Sequence, residues 1–195
     1  MVLVVAVIAG VIAGLIRAKI GKRPYQPYQM QGIWLVLVAI ILQWLVFSLP
    51  ITRDVLPNWT ASISLVLSQT ILFIFAWLNR RISGFWLLGA GLLLNLAVIV
   101  ANGGFMPISP DTVQWLRPDA PANFWSVGQR LGASKDIVLP VDKTVLYFLS
   151  DRFRTPNLDA YRVAFSFGDV VVALGAFWLL WAIGGPVYAG SKQED

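Results

Sequence analysis

Long, charge-free stretches of apolar residues dominate the pattern of hydrophobic and polar positions along this chain. A helix that crosses a bilayer needs about 20 predominantly apolar residues, with a range of about 17–25. Five stretches approach this length, at about 2–20, 33–49, 60–78, 82–101 and 165–183. The pattern predicts an all-α fold in which residues 1–195 form a single membrane domain, a bundle of about five transmembrane helices.

Turn-forming residues separate the apolar stretches. Pro50 closes the second stretch, and Pro57-Asn58-Trp59 opens the third. Arg80-Arg81 indicates a tight helical hairpin between the third and fourth. Asn102-Gly103-Gly104 follows the fourth, and glycine reaches left-handed backbone angles at low cost. We therefore predict that the fourth helix ends there.

The connection 102–164 is too long to be featureless in a compact protein, so we expect short helices within it. The best candidate is Val141–Phe153, where Val141, Val145, Leu149 and Phe153 recur every four residues. This apolar stripe predicts a helix that covers the mouth of the bundle. The alternative is a helix that lies on the bilayer surface.

Positive charges beside the apolar stretches predict the orientation. The segment 17–23 holds four Lys or Arg residues, the second connection holds Arg53, and the third holds Arg80-Arg81. Because cytoplasmic loops carry the excess of Lys and Arg, the N-terminus is predicted outside and the C-terminus in the cytoplasm. The connection 102–164 is then extracytoplasmic. The first stretch is expected to remain as a span, since its charges follow it, unlike those of a secretory signal.

Composition supports this interpretation and narrows the chemistry. Hydrophobic residues make up 57% of the chain and charged residues 13%, with a mean hydropathy of +0.71. The net charge of +5 lies largely beside apolar stretches, so we assign it to membrane topology and expect no nucleic-acid partner. The chain has no His and no Cys. We therefore predict no metal site and no cofactor, with a bound lipid, quinone or pigment as the alternative.

Three amides, those of Gln43, Gln69 and Asn95, lie well inside predicted spans. An amide without a partner is costly in hydrocarbon, so all three are expected to face protein. Hydrogen bonds between helices explain them most simply. The alternative is a polar pocket, a pigment or quinone contact, or a conduction path.

Asp169 is the acidic residue within a predicted span, and Ser166 precedes it by three residues. This spacing predicts that Ser166 caps the fifth helix and that Asp169 completes the cap. In the predicted topology Ser166 and Asp169 lie at the same membrane edge as Asn102-Gly103-Gly104. The two groups could therefore meet and hold the two ends of the connection 102–164 together. Catalysis or ion binding by Asp169 is the alternative.

Small residues recur every four positions on the first span, at Ala6, Gly10 and Gly14. Such a face lets another helix approach closely. We expect packing within the chain, and docking against a different subunit is the alternative.

Two motifs carry a resemblance to a known family. Asn102-Gly103-Gly104-Phe105-Met106-Pro107 is followed some sixty residues later by Phe165-Ser166-Phe167-Gly168-Asp169. In this order, after four spans, the motifs resemble those of an uncharacterised family of small bacterial multi-spanning membrane proteins. The resemblance implies a similar topology and a bacterial origin. It implies nothing about activity, because the family has no established one.

Function is expected to lie in assembly. One intramembrane carboxylate without His or Cys does not form a nucleophile–base pair or an acid–base dyad, so an enzyme is not expected. We predict an accessory or scaffolding subunit of a larger complex in the bacterial cytoplasmic membrane, such as an energy-converting or photosynthetic one. Its expected partners are membrane lipids and other integral membrane subunits. The alternative is a small transporter or permease component.

Overall fold

The computed structural model describes residues 2–53, 55–121, 124–156 and 162–185. These residues are mostly helical, in agreement with the predicted all-α class. A π-helical turn, Trp44–Ser48, continues the second helix. The α-helices are α1 (Val2–Ile20), α2 (Trp34–Gln43), α3 (Pro50–Arg53), α4 (Asn58–Leu78), α5 (Phe85–Ala101), α6 (Pro110–Leu116) and α7 (Phe167–Ile183).

The long helices lie at the five apolar stretches of the sequence. By length and composition, α1 and α4 can each cross a membrane. The segment Trp34–Ser48 is apolar but shorter, and so are α5 and α7, which have 17 residues each. Two of the five helices therefore reach the length that a simple span requires.

The five long helices are arranged as an open row. α1 packs against α7, α7 against α5, α5 against α4, and α4 against α2. Among the described residues, the other pairs of these helices make few contacts. α1 and α2 are therefore the two ends of the row.

Glycine allows the closest approaches in this row. A Cβ atom at Gly91 of α5 would lie 2.6 Å from the backbone N of Val172 in α7 and 2.7 Å from the carbonyl O of Gly168. A Cβ atom at Gly10 of α1 would lie 3.0 Å from the Cα of Phe177. One at Gly14 would meet the carbonyl O of Leu180. Gly10 and Gly14 thus pack within the chain, against α7.

Residues 102–166, which we call the cap, connect α5 to α7. Strand β1 (Met106–Ile108) pairs in parallel with β2 (Asp136–Val138), and β3 (Phe153–Arg154) pairs antiparallel with β4 (Ala164–Phe165). The core of the cap is formed by the buried side chains of Ile108, Val113 and Val138. α6 is the short helix of this segment, capped by Ser109, whose Oγ accepts from the backbone N–H of Thr112.

The predicted helix over Val141–Phe153 is wrong. This stretch holds two short 3₁₀ turns, Val141–Lys143 and Tyr147–Leu149, before β3 begins. Leu146 between the turns has a φ of +56°, which an α-helix does not accommodate. The backbone N–H and C=O of Val145 are bonded to the Asn102 side chain instead of to a helical ladder. Tertiary hydrogen bonds thus override the local four-residue period.

Candidate functional site

A polar junction joins α5 to the start of α7. The Asn95 Nδ2 group donates to the Asp169 Oδ1 atom at 2.8 Å, and the Ser166 hydroxyl donates to the Asn95 Oδ1 atom at 2.8 Å. Ser166 also caps α7: its Oγ accepts from the Asp169 N–H at 3.0 Å, and the Asp169 carboxylate accepts from the Ser166 N–H at 3.2 Å. The three side chains therefore satisfy one another and hold the two helices together.

Gly168 makes room for this junction. A Cβ atom there would collide with the Asn95 Oδ1 atom. Asn95 is 6% exposed and Ser166 is fully buried, whereas Asp169 is half-buried, so protein encloses most of the junction. The Phe165-Ser166-Phe167-Gly168-Asp169 motif thus combines a helix cap with the space that the Asn95 amide needs.

Asn102 fastens the cap to the end of α5. Its Nδ2 group donates to the carbonyl oxygens of Val98, at 2.7 Å, and Val145, at 2.8 Å. Its Oδ1 atom accepts from the Val145 N–H at 3.0 Å. Gly103 and Gly104 follow with φ values of +77° and +85°, as expected for a glycine helix end. The carbonyl O of Gly103 accepts from the Ser62 hydroxyl of α4.

Asn102 and Asp169 use different partners. Among the described residues, Asp169 bonds to Asn95 and Ser166, whereas Asn102 bonds to the backbone of Val98 and Val145. The predicted meeting of Asp169 with Asn102 is therefore not seen among the hydrogen bonds of the described residues, and each residue holds its own end of the connection.

The two glutamines belong to the other end of the row. The Gln43 Nε2 group of α2 donates to the Ser68 Oγ atom of α4 at 2.8 Å. The neighbouring Gln69 has a buried Oε1 atom with no hydrogen-bond partner in the described part of the chain. Gln43 thus forms the interhelical hydrogen bond that its position predicts.

An ion pair lies inside the cap. The Lys135 Nζ atom is 3.4 Å from the Asp151 Oδ2 atom, and the exposed fractions of the two side chains are 42% and 4%. The backbone N–H of Asp151 donates to the carbonyl O of Pro107, which sets its side chain beside β1. The Oδ1 atoms of Asp136 and Asp151 are buried, and neither has a hydrogen-bond partner within the described ranges.

Burial and charge compete at these groups. Burial raises the pKa of Asp151 to about 7, although the Lys135 charge acts in the opposite direction. Burial also raises the pKa of Asp136. The Lys135 side chain is partly exposed, and its partial burial acts to lower the pKa, but the carboxylates of Asp151, Asp136 and Asp169 outweigh that effect and raise the pKa. The cap thus contains carboxyl groups that hold protons more tightly than exposed ones.

Reasoning from the sequence missed Lys135, Asp136 and Asp151. One signal was available: Lys135-Asp136 directly precedes the apolar run Ile137-Val138-Leu139, as expected of charges beside a buried strand. No comparable signal pairs Lys135 with Asp151, because strand pairing and the Pro107 contact bring them together.

An open cavity of about 1020 Å³ lies in the cap. Apolar and charged side chains share its lining, among them Phe47, Leu116, Phe124, Arg117, Asp119 and Arg162. Within the described part of the chain, no group of three or more acidic residues is placed to hold a metal ion. Because of its mixed lining, the cavity presents both charged and apolar surface.

Comparisons with known proteins give one family and one relative. A model of a family of unknown function, DUF5317, matches residues 27–181. An uncharacterized protein of Thermotoga maritima is 38% identical over 73 residues, an alignment that covers 37% of this chain and 42% of the relative. No solved structure matches the chain. The matched range includes α2, α4, α5, the whole cap and most of α7, and the chain therefore belongs to the DUF5317 family.

Proposed function

We propose that this chain is a non-catalytic accessory subunit of a larger complex in the bacterial cytoplasmic membrane. In this proposal all five long helices cross the membrane, with the N-terminus outside and the cap on the extracytoplasmic side. The three shorter helices would span by a local thinning of the bilayer, which has a modest cost.

The open row of helices is the observation that carries the proposal. α4 has a neighbour on each side, yet only 22% of the residues in its most apolar stretch are buried. For α1, at one end of the row, the share is 17%. Since each helix contacts few others, much of the apolar surface is left for lipid or for another membrane protein.

One face of α4 is the best candidate for the contact with another subunit. Ile63, Leu67 and Ile74 recur at helical spacing and are 57%, 47% and 45% exposed. On the opposite side Ala61, Leu65 and Ala76 are buried. Exposed apolar side chains therefore recur along one face of α4 from Ile63 to Ile74.

The polar groups support a subunit over a transporter. Asn95 is bonded to Asp169 and Ser166, and Gln43 is bonded to Ser68, so these amides already hold helices together. A conduction path needs polar groups that can exchange their partners with a solute. Among the buried amide atoms of the described residues, the Gln69 Oε1 atom is the one without a hydrogen-bond partner.

The test is site-specific photo-crosslinking in the native host. A photo-reactive residue at Leu67 should give one discrete heavier species that contains a second membrane protein, and mild detergent should preserve a complex of fixed stoichiometry. The matched control is Val100, which is 56% exposed on α5 and lies outside this stripe. A free monomer in several mild detergents, with Leu67 and Val100 crosslinking to lipid alone, would refute the proposal.

A further inference from the structure

An apolar groove of about 450 Å³ runs between α1 and α7, next to the cap. Val5 and Ala6 of α1 form one wall, and Val170, Leu174 and Phe177 of α7 form the other. The cap contributes its end wall, which includes Arg154 and Pro156.

The groove has the shape of a narrow slot. Val170 and Phe177 are seven residues apart on one helical face, so the slot extends roughly 10 Å along α7. Val5 and Leu174 are 60% and 55% exposed, so the slot is open along its side. A flexible hydrocarbon chain fits this shape, since it enters laterally from the surrounding bilayer and lies along the helices.

Arg154 lies at the cap end of the slot, and its side chain is exposed. Its Nη2 group donates to the Thr112 Oγ1 atom at 3.1 Å, and the centre of its guanidinium is 5.7 Å from the Trp115 ring centre. These contacts hold the side chain in place but leave several of its five N–H donors for a ligand. Within the described ranges, no carboxylate forms an ion pair with Arg154.

We propose that this groove binds an anionic glycerophospholipid, with one acyl chain in the slot and its phosphate on the Arg154 guanidinium. A guanidinium matches a phosphate with two parallel hydrogen bonds, whereas the apolar walls match the chain. The inference rests on the proposed membrane placement, which puts the slot in the outer leaflet. An anionic headgroup is favoured over a zwitterionic one because it brings no cationic group close to Arg154.

The test is a lipid competition read by native mass spectrometry of the full chain. The purified protein is exchanged into micelles that contain equal amounts of phosphatidylglycerol and phosphatidylcholine. The native chain should retain phosphatidylglycerol preferentially. Arg154→Gln should reduce that preference roughly tenfold, because it removes the charge-assisted bonds to the phosphate. Arg152→Gln is the matched control, since Arg152 is also exposed but lies outside the groove lining.

A second pair of variants tests the slot itself. Val5→Trp should displace the acyl chain and reduce retention of both lipids, because Val5 lines the groove. Val4→Trp should leave retention unchanged, because Val4 is 58% exposed but does not line the groove. Thermal unfolding in the same detergent checks that each variant is folded.

Three results would overturn the inference: equal retention of the two lipids by the native chain, equal effects of Arg154→Gln and Arg152→Gln, or a second copy of the chain in the slot. If any of these occurs while Leu67 still crosslinks to a partner subunit, only the lipid site is lost. If the chain is not found in the membrane fraction, the proposed function fails as well.

Discussion

At the scale of single residues, close backbone contact at Gly91 decides whether α5 and α7 can pack. A methyl group there would enter the space between the Val172 N atom and the Gly168 carbonyl, and neither backbone can move independently of its helix. We expect Gly91→Ala to destabilise the folded chain by about 1–3 kcal/mol, the usual cost of overpacking. Thermal unfolding followed by circular dichroism in detergent measures the change.

Gly89 supplies the control on the same helix. A Cβ atom at Gly89 would lie 3.6 Å from the Ala76 Cβ atom, an ordinary contact distance. Gly89→Ala should therefore leave stability unchanged or raise it by up to about 1 kcal/mol through better helix propensity. Equal losses from the two substitutions would contradict the close α5–α7 contact.

Asp151 is the residue at which stability should depend on pH. Its pKa rises from an ordinary value of 3.8 to about 7 on folding, because burial disfavours the charged form. Between these pH values the folded state binds more protons than the unfolded state, so the free energy of unfolding should fall as pH rises from about 4 to about 7. The direction is the reverse of that for a carboxylate whose pKa is depressed.

Asp151→Asn should flatten this slope. The midpoint of thermal unfolding, measured from pH 5 to pH 8, should decline less steeply in the variant than in the native chain. The raised pKa of Asp136 leaves a residual slope in the same direction. Asp142→Asn, a change at an exposed carboxylate of the cap, is the control and should keep the native profile. A midpoint that climbs with pH across this range would show that burial does not dominate at Asp151.

At the scale of elements, residues 141–153 form no α-helix, and the Asn102 side chain holds this part of the cap in place. It uses both backbone groups of Val145 and returns a bond to Val98 in α5. We expect Asn102→Ala to raise the hydrogen-exchange rate of the Val145 amide at least tenfold, because its acceptor is gone. The Leu139 amide, which donates to the Ile108 carbonyl, should keep its rate. Uniform loss of protection throughout the cap would mean that Asn102 supports all of it.

The long helices could be predicted from the sequence, as could the presence of short helices in the cap, but the strand pairing of the cap could not. A long apolar run predicts a helix well because a helix forms its backbone hydrogen bonds between residues that are close in the sequence. Strands of two or three residues leave almost no period, and β1 pairs with β2 about thirty residues away. The same limit explains the pair Lys135–Asp151, whose partners meet through that pairing. Ser166 and Asp169 were predictable because a capping box is local in the chain.

At the scale of the whole molecule, an open row of helices supports the cap, which is attached where α5 ends and α7 begins. Asn102 and the Asn95–Ser166–Asp169 junction attach the cap at the ends of α5 and α7. In the proposed subunit, the apolar surface of the row would face lipid or protein neighbours, and the cap, with its cavity of about 1020 Å³, would face the outside of the cell. In this proposal the helices anchor the protein in the membrane, and the cap presents its cavity at the membrane surface.

The most direct test of this placement is the labelling of single cysteines, which the cysteine-free chain allows without any background. Asp142→Cys places a thiol on the exposed surface of the cap, and Ser83→Cys places one in the exposed turn between α4 and α5. In intact spheroplasts, a membrane-impermeant maleimide should label Asp142→Cys at once and Ser83→Cys only after the membrane is permeabilised. Immediate labelling of Ser83→Cys, or equal labelling of both variants before permeabilisation, would contradict a cap held outside by a membrane-spanning row of helices.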